Sequence, residues 1–193
     1  GDMLIRTIVE SYFLFAIAFL SFCSQIHLTT FGCNPWYKVY KYLYVITIFA
    51  TLVKIVIYRK DKKLWFSIPV AVVFYLAFPF KYYEYQSFLS FLIIGCVGVN
   101  IRKIFYAAFI PSTLVIVIMM LSSLSGGIKN IVYWGRNIRS SWGNGYPTDF
   151  GTAVLMIVAF LWILCKDLPD EIFLIPGLFS LYISHSITRS FTS

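Results

Sequence analysis

The chain has 193 residues, of which 60% are apolar, 20% aromatic and only 12% charged, with a net charge of +8 and a mean hydropathy of +0.80. A water-soluble domain carries roughly a quarter charged residues, so this composition argues against a soluble globule. The expected fold class is an all-α integral membrane protein with about seven transmembrane helices. The basic residues fall in short clusters between apolar runs rather than along one face, so membrane lipid is an expected partner and nucleic acid is not.

Gly1-Asp2-Met3 reads as added residues running into a natural start. A helix needs about 20 apolar residues to cross a bilayer, within a range of roughly 17–25. Seven segments come close: 4–23, 39–57, 64–80, 83–99, 104–121, 150–165 and 172–187. The first carries Arg6 ahead of its apolar stretch and lacks a small-x-small cleavage site, so it reads as a retained helix rather than a signal peptide. Pro69, Pro79, Pro111 and Pro176 fall inside or at the ends of these runs, as kinks packed against neighbouring helices do. The chain then divides into a start (1–3), a five-helix region (4–121), a long loop (122–149), two further helices (150–187) and a polar tail (188–193).

Charge sets the expected orientation. Arg59, Lys60, Lys62 and Lys63 lie between the second and third segments, and Arg102 and Lys103 between the fourth and fifth. Short basic loops stay in the cytoplasm, and Arg6 and Lys166 fall on the same side. The expectation is a multi-pass protein of the cell (cytoplasmic) membrane, with a cytoplasmic N-terminus and loop 122–149 at the outer face. Glu10 and Lys54 lie within apolar segments, where ionisable groups are functional candidates by default. The simpler readings are that Glu10 pairs with Arg6 and that Lys54 snorkels to the interface.

No cofactor or metal is expected. The outer loops hold only isolated carboxylates, whereas a hard cation needs a cluster of them, and no HExxH, GxSxG or Lys-bearing Gly-rich loop is present. Cys23, Cys33, Cys96 and Cys165 form no CxxC pair. Cys23 and Cys33 flank the first outer loop and would pair only if that face is oxidising; chance placement is the simpler reading.

Loop 122–149 stands apart, because connections of that length are functional or disordered and this one is rich in aromatics. Trp134, Trp142, Tyr133 and Tyr146 lie among Lys129, Arg136 and Arg139. Gly143, Gly145 and Pro147 close the loop, the glycines allowing a sharp turn or a close approach to a ligand. Asp149 fits the cap of the next helix. Arg136 and Arg139 would share one face of a helical turn. Two readings of this pair stand: they meet lipid phosphates and water, or they clamp a bound phosphate or diphosphate bidentately.

The run Arg139-Ser-Ser-Trp-Gly-Asn-Gly-Tyr-Pro147-Thr-Asp149-Phe-Gly151, followed by an apolar helix, resembles the O-antigen and exopolysaccharide polymerases and the related O-antigen ligases. A second element, Ser184-His185-Ser186-Ile187-Thr188-Arg189-Ser190, is similar to that family's Thr/Ser-x-Ser-Arg-Ser/Thr element. Tyr146 and Thr148 stand where Asn or His, and Asn, are more usual. The resemblance covers roughly the last 90 residues and implies that the chain is the N-terminal part of a longer protein. It also implies glycosyl transfer from a polyprenyl-diphosphate-linked glycan at the outer membrane face, alongside other membrane proteins of polysaccharide assembly. On this reading Arg139 and Arg189 are catalytic, stabilising charge on the departing diphosphate. Arg136, Lys129, Trp142, Asn144, Tyr146, Asp149 and His185 bind the substrate. A base must take the acceptor hydroxyl proton, for which the choices are Asp149, His185 and Glu84. Each has a plainer alternative: a helix cap for Asp149, an interfacial side chain for the other two. Two other classes stay open, a small membrane transport subunit binding a small solute and a non-catalytic membrane partner.

Overall fold

The computed structural model of the chain describes residues 2–29, 36–77, 83–133, 139–143, 147–165, 167, 176–178 and 182. Among them the chain is helical, in the order α1 (Asp2–His27), α2 (Trp36–Ile57), α3 (Lys62–Ala77), α4 (Tyr83–Gly95), α5 (Ile101–Leu124) and α6 (Pro147–Leu164). These six match the first six apolar segments; the seventh, 172–187, lies largely outside the described residues. Two helical stretches, Met3–His27 and Ile101–Leu124, are long and apolar enough to cross a membrane, and the apolar stretch Asp149–Leu164 is shorter. The only strands among the described residues are two-residue pieces between α5 and α6: β1 (Val132–Tyr133) and β2 (Arg139–Ser140).

Local chemistry explains the helix ends. Asp61 caps α3, its Oδ1 accepting from the Lys63 amide at 2.9 Å, and Asn100 caps α5 by accepting from the Arg102 amide at 2.9 Å. α4 stops at Gly95 rather than at residue 99, because the chain turns through Gly98 at φ +78°. A Cβ on Gly98 would also lie 2.8 Å from the Tyr58 ring. α5 runs three residues past the expected end at 121. It is closed by Gly126 at φ +76° and by the Gly127 and Ile128 amides, which both donate to the Ser122 carbonyl. Pro69 and Pro111 sit inside α3 and α5, which continue through them.

The chain forms two compact units, divided within α1, between α1 and α2, and within α5. The first comprises Gly1–Phe19 and Pro35–Ala107. Its core gathers Leu64, Ala71 and Ile94, with Ile55, Tyr58, Ile68, Ile93 and Val97 packed against them. The Tyr12 hydroxyl ties α1 to α2 by donating to the Leu43 carbonyl at 3.0 Å, and lies 2.7 Å from Thr47 Oγ1. Gly95 lets α4 approach the buried Phe13 ring so closely that a Cβ there would fall 2.0 Å from it. The second unit comprises Leu20–Asn34 and Ala108–Ser193. Its core is Ile116 and Met119 of α5 with Phe150 and Ala153 of α6, flanked by Met120, Ile128, Trp142, Val154 and Ile157.

Among its described residues α2 buries a face that is polar but for Leu43. Thr47, Thr51 and Lys54 are buried at 0%, 1% and 0% exposure, whereas Val45, Ile46, Phe49, Leu52, Val53 and Val56 are all exposed. A helix folded against water shows the reverse arrangement.

Candidate functional site

The sequence places its candidate site in the connection between α5 and α6, and the structure gives that connection a definite frame. After the Gly126 turn, Ile128 packs on the α5–α6 core, followed by exposed Lys129 and Asn130. β1 then pairs antiparallel with β2, Val132 opposite Ser140 and Tyr133 opposite Arg139. One further residue of each strand extends the ladder at the end nearest the helices. The Ser141 amide donates to the Ile131 carbonyl at 3.0 Å, and the Ile131 amide donates to Ser141 Oγ at 3.0 Å. The Trp142 amide donates to Asn130 Oδ1 at 2.8 Å. Ser141 is fully buried, so its hydroxyl is protected from water as an acceptor for Ile131.

Trp142 follows with its backbone at φ 51°, the left-handed region, and Gly143 continues there at φ 87°. That region costs a non-glycine residue about 1–2 kcal/mol, so something must hold Trp142 in place. Its indole packs on the Ile116, Met119, Phe150 and Ala153 cluster, and the buried Nε1 has no hydrogen-bond partner among the described residues. Gly143 has no room for a side chain: a Cβ would lie 2.6 Å from Ile128 Cδ1 and 2.8 Å from Met119 Cγ. The glycine is needed here for a turn pressed against α5.

Of the sequence candidates, Arg139 sits on β2, Lys129 is exposed on the approach to β1, and Trp142 anchors the hairpin. Asp149 requires a correction. α6 opens on Pro147, which suits a first helical position because its missing N–H is needed by no bond. Asp149 is therefore the third helical residue and not the cap; its carboxylate still sits in the first turn, where the helix dipole favours it. The next residue, Phe150, belongs to the cluster on which Trp142 packs. The structure thus brings Arg139's strand, Trp142 and the start of α6 into one frame. Arg136, Asn144, Tyr146, His185 and Arg189 lie outside the described residues, as does the side chain of Glu84. Sequence reasoning missed Asn130, Ser141 and the supporting Met119 and Ile128.

The second anomaly lies in the first unit. Lys54 does not snorkel: it is fully buried, and its Nζ has no hydrogen-bond partner among the described residues. The ammonium lies 4.3 Å from the Tyr58 ring centroid and 6.0 Å from that of Phe13, and the Arg6 guanidinium stands 5.2 Å from the same Tyr58 ring. The Tyr58 hydroxyl donates to Glu10 Oε1 at 2.5 Å, so Glu10 meets a phenol rather than pairing with Arg6. Tyr58, just past the end of α2, is pushed up to about 12, first by burial and then by this bond to Glu10. Among the described residues no three His, Cys, Asp or Glu side chains gather as metal ligands would. Cys23, Cys96 and Cys165 are free thiols; Cys33 lies outside the described residues. No family model, no curated protein and no solved structure matches the chain.

Proposed function

We propose that the chain is a multi-pass protein of the cell membrane with a cytoplasmic N-terminus and about seven spans, and that it acts in a membrane polymerase of the glycosyltransferase type. It joins lipid-diphosphate-linked oligosaccharide units at the outer face. The observation that carries the membrane assignment is the inside-out α2, which exposes Phe49, Leu52 and Val56 while burying Thr47, Thr51 and Lys54. Lipid tails solvate the first set and exclude the second. The polymerase reading rests on the resemblance of the run from Arg139 to Gly151, and draws support from the paired strands that place Arg139 beside the α5–α6 cluster.

In this reaction an acceptor hydroxyl attacks the anomeric carbon of the donor sugar. The bond from that carbon to the diphosphate oxygen breaks, and the lipid diphosphate leaves with the electron pair. The hydroxyl proton passes to a base, for which Asp149, His185 and Glu84 are the outer-face choices. Arg136, Arg139 and Arg189 stabilise the charge that develops on the diphosphate, and Lys129, Asn144 and Tyr146 complete the glycan contacts, while Trp142 packs into the α5–α6 cluster and anchors the hairpin that carries them.

The test compares Arg139→Lys with Arg102→Lys in the natural gene product, in a host lacking its own polymerase. A guanidinium binds two phosphate oxygens at once, whereas an ammonium is a point charge. A charge-assisted bond is worth roughly 1.5–3 kcal/mol, so Arg139→Lys should lower polymer formation about tenfold to a hundredfold at normal abundance. Arg102→Lys should be silent. Equal polymer from both variants would end the assignment of Arg139. Impermeant-thiol labelling of cysteines placed at 61 and 140 checks the orientation: 140 should label in intact cells and 61 should not.

A second reading, a small transport subunit that binds a small solute, draws on Lys54, since a buried ionisable group in a membrane is a functional candidate by default. Loss of solute uptake with intact polymer formation in Lys54→Met would favour it.

A further inference from the structure

We infer that Asn130 and Ser141 are positioning residues that fix the register of the strand bearing Arg139, an inference that rests on the proposed role of Arg139 in binding diphosphate. Two-residue strands have almost no pairing strength of their own, and an isolated hairpin is marginal even at greater length. The register of β1 on β2 must therefore come from the flanks. On one flank the Ile131–Ser141 pair exchanges two bonds at 3.0 Å, one of them through a fully buried hydroxyl. Beyond it, Asn130 Oδ1 holds the Trp142 amide at 2.8 Å, in the left-handed turn where the backbone alone would not stay.

At this end of the ladder both strands are tied to the helices. Ile128, two residues before Asn130, and Trp142 pack on the same α5–α6 cluster, and Gly143 lies hard against Met119 and Ile128. The result is a four-point clamp formed by the cap of α5, Asn130, Ser141 and the Trp142–Gly143 turn. Arg139 lies two residues from Ser141 and opposite Tyr133. A slip of one residue would move position 139 to the other face of the ladder. A reacting group misplaced by about 1 Å costs on the order of a hundredfold in rate, so the clamp sets turnover more than affinity.

The closing experiment replaces the clamp with a covalent one. Val132 and Ser140 are directly opposed, and cysteines at these two positions should form a disulfide, mapped by mass spectrometry, while preserving polymer formation. Adding Asn130→Leu removes the acceptor for Trp142, and one lost hydrogen bond shifts an equilibrium by about a factor of five. Under reducing conditions this variant should lose about fivefold or more in turnover with little change in donor KM, and oxidation should restore the rate. Ser141→Ala should behave in the same way. Wild-type turnover in reduced Asn130→Leu, or no recovery on oxidation, overturns the proposal. A separate readout needs no polymer: the 132–140 disulfide should form about fivefold more slowly in Asn130→Leu than in its parent. If Arg139→Lys is fully active, the diphosphate reading fails, and the disulfide rate still decides the clamp: equal rates overturn it and slower closure sustains it.

Discussion

The seam between α1 and α2 and the hairpin between α5 and α6 each bury a polar atom that finds no hydrogen-bond partner among the described residues, Lys54 Nζ in one and Trp142 Nε1 in the other. They differ in what surrounds it. In the seam the lone atom belongs to an ionisable group flanked by ring faces and by Glu10, within a stripe of buried hydroxyls. In the hairpin it belongs to a neutral indole whose bulk fills an apolar cluster. An orphaned indole N–H costs about 1–3 kcal/mol and is offset by burying a large ring. An orphaned charge costs more unless its surroundings compensate it. The hairpin therefore uses a polar orphan to obtain packing, whereas the seam tolerates packing to keep a polar group in place, and only the second arrangement needs a reason beyond stability.

The largest effect is expected where the hairpin turn meets α5. Gly143→Ala places a methyl group 2.6 Å from Ile128 Cδ1 and 2.8 Å from Met119 Cγ, at a backbone angle of +87°. The left-handed penalty of about 1–2 kcal/mol and overpacking of about 1–3 kcal/mol add. Unfolding of the purified protein in detergent should report a loss of roughly 2–5 kcal/mol. Gly126, at a similar angle but with nothing within 4 Å of its Cβ position, should lose only the conformational part on mutation to Ala. If the two substitutions cost the same, the hairpin is not pressed against α5 and the contrast drawn above collapses.

A smaller and opposite effect is expected in the seam. Lys54→Met keeps the length of the side chain and removes the orphaned amine. Relief of a buried unpaired polar group amounts to about 1–3 kcal/mol, while the lost attraction to the Tyr58 and Phe13 rings is worth up to about 2 kcal/mol. Stability in detergent should stay level or rise by about 1 kcal/mol. A fall of that size would mean that the rings and Glu10 more than compensate the ammonium, making Lys54 a structural anchor instead of a functional candidate.

Much of this was legible in the sequence, for physical reasons that also mark where legibility stops. The six helices follow from apolar runs too long for anything else, and the ends at Asp61 and Asn100 follow ordinary capping chemistry. The start of α6 was readable and was misplaced: Pro147 is the stronger signal, and it moves Asp149 from cap to first turn. The buried face of α2 was readable as well, since Thr47, Thr51, Lys54 and Tyr58 recur at intervals of four, three and four. Taken one at a time, Lys54 suggested snorkelling, and only the stripe shows that it turns inward. The hairpin was not legible, because two-residue strands carry no period and Asn130 and Ser141 resemble any polar loop residue. Their roles depend on contacts across ten residues or more.

The finest test of the comparison is Thr47→Val, which removes one hydroxyl from the seam and keeps its shape. Thr47 is fully buried, donates to the Leu43 carbonyl at 2.8 Å and meets the Tyr12 hydroxyl at 2.7 Å. Tyr12 also donates to the Leu43 carbonyl at 3.0 Å, so the substitution leaves the phenol a partner and frees that carbonyl from one of two donors. Bonds between helices in membrane proteins average about 0.6 kcal/mol, and a valine methyl recovers part of that by packing. The expected loss is therefore about 0.5 kcal/mol, and Tyr12→Phe, which deletes the shared donor outright, should cost about twice as much. If Thr47→Val proves as costly as Tyr12→Phe, the hydroxyls act as one cooperative chain. The seam would then owe its stability to a connected polar network, and Lys54 would have to be judged as a member of it.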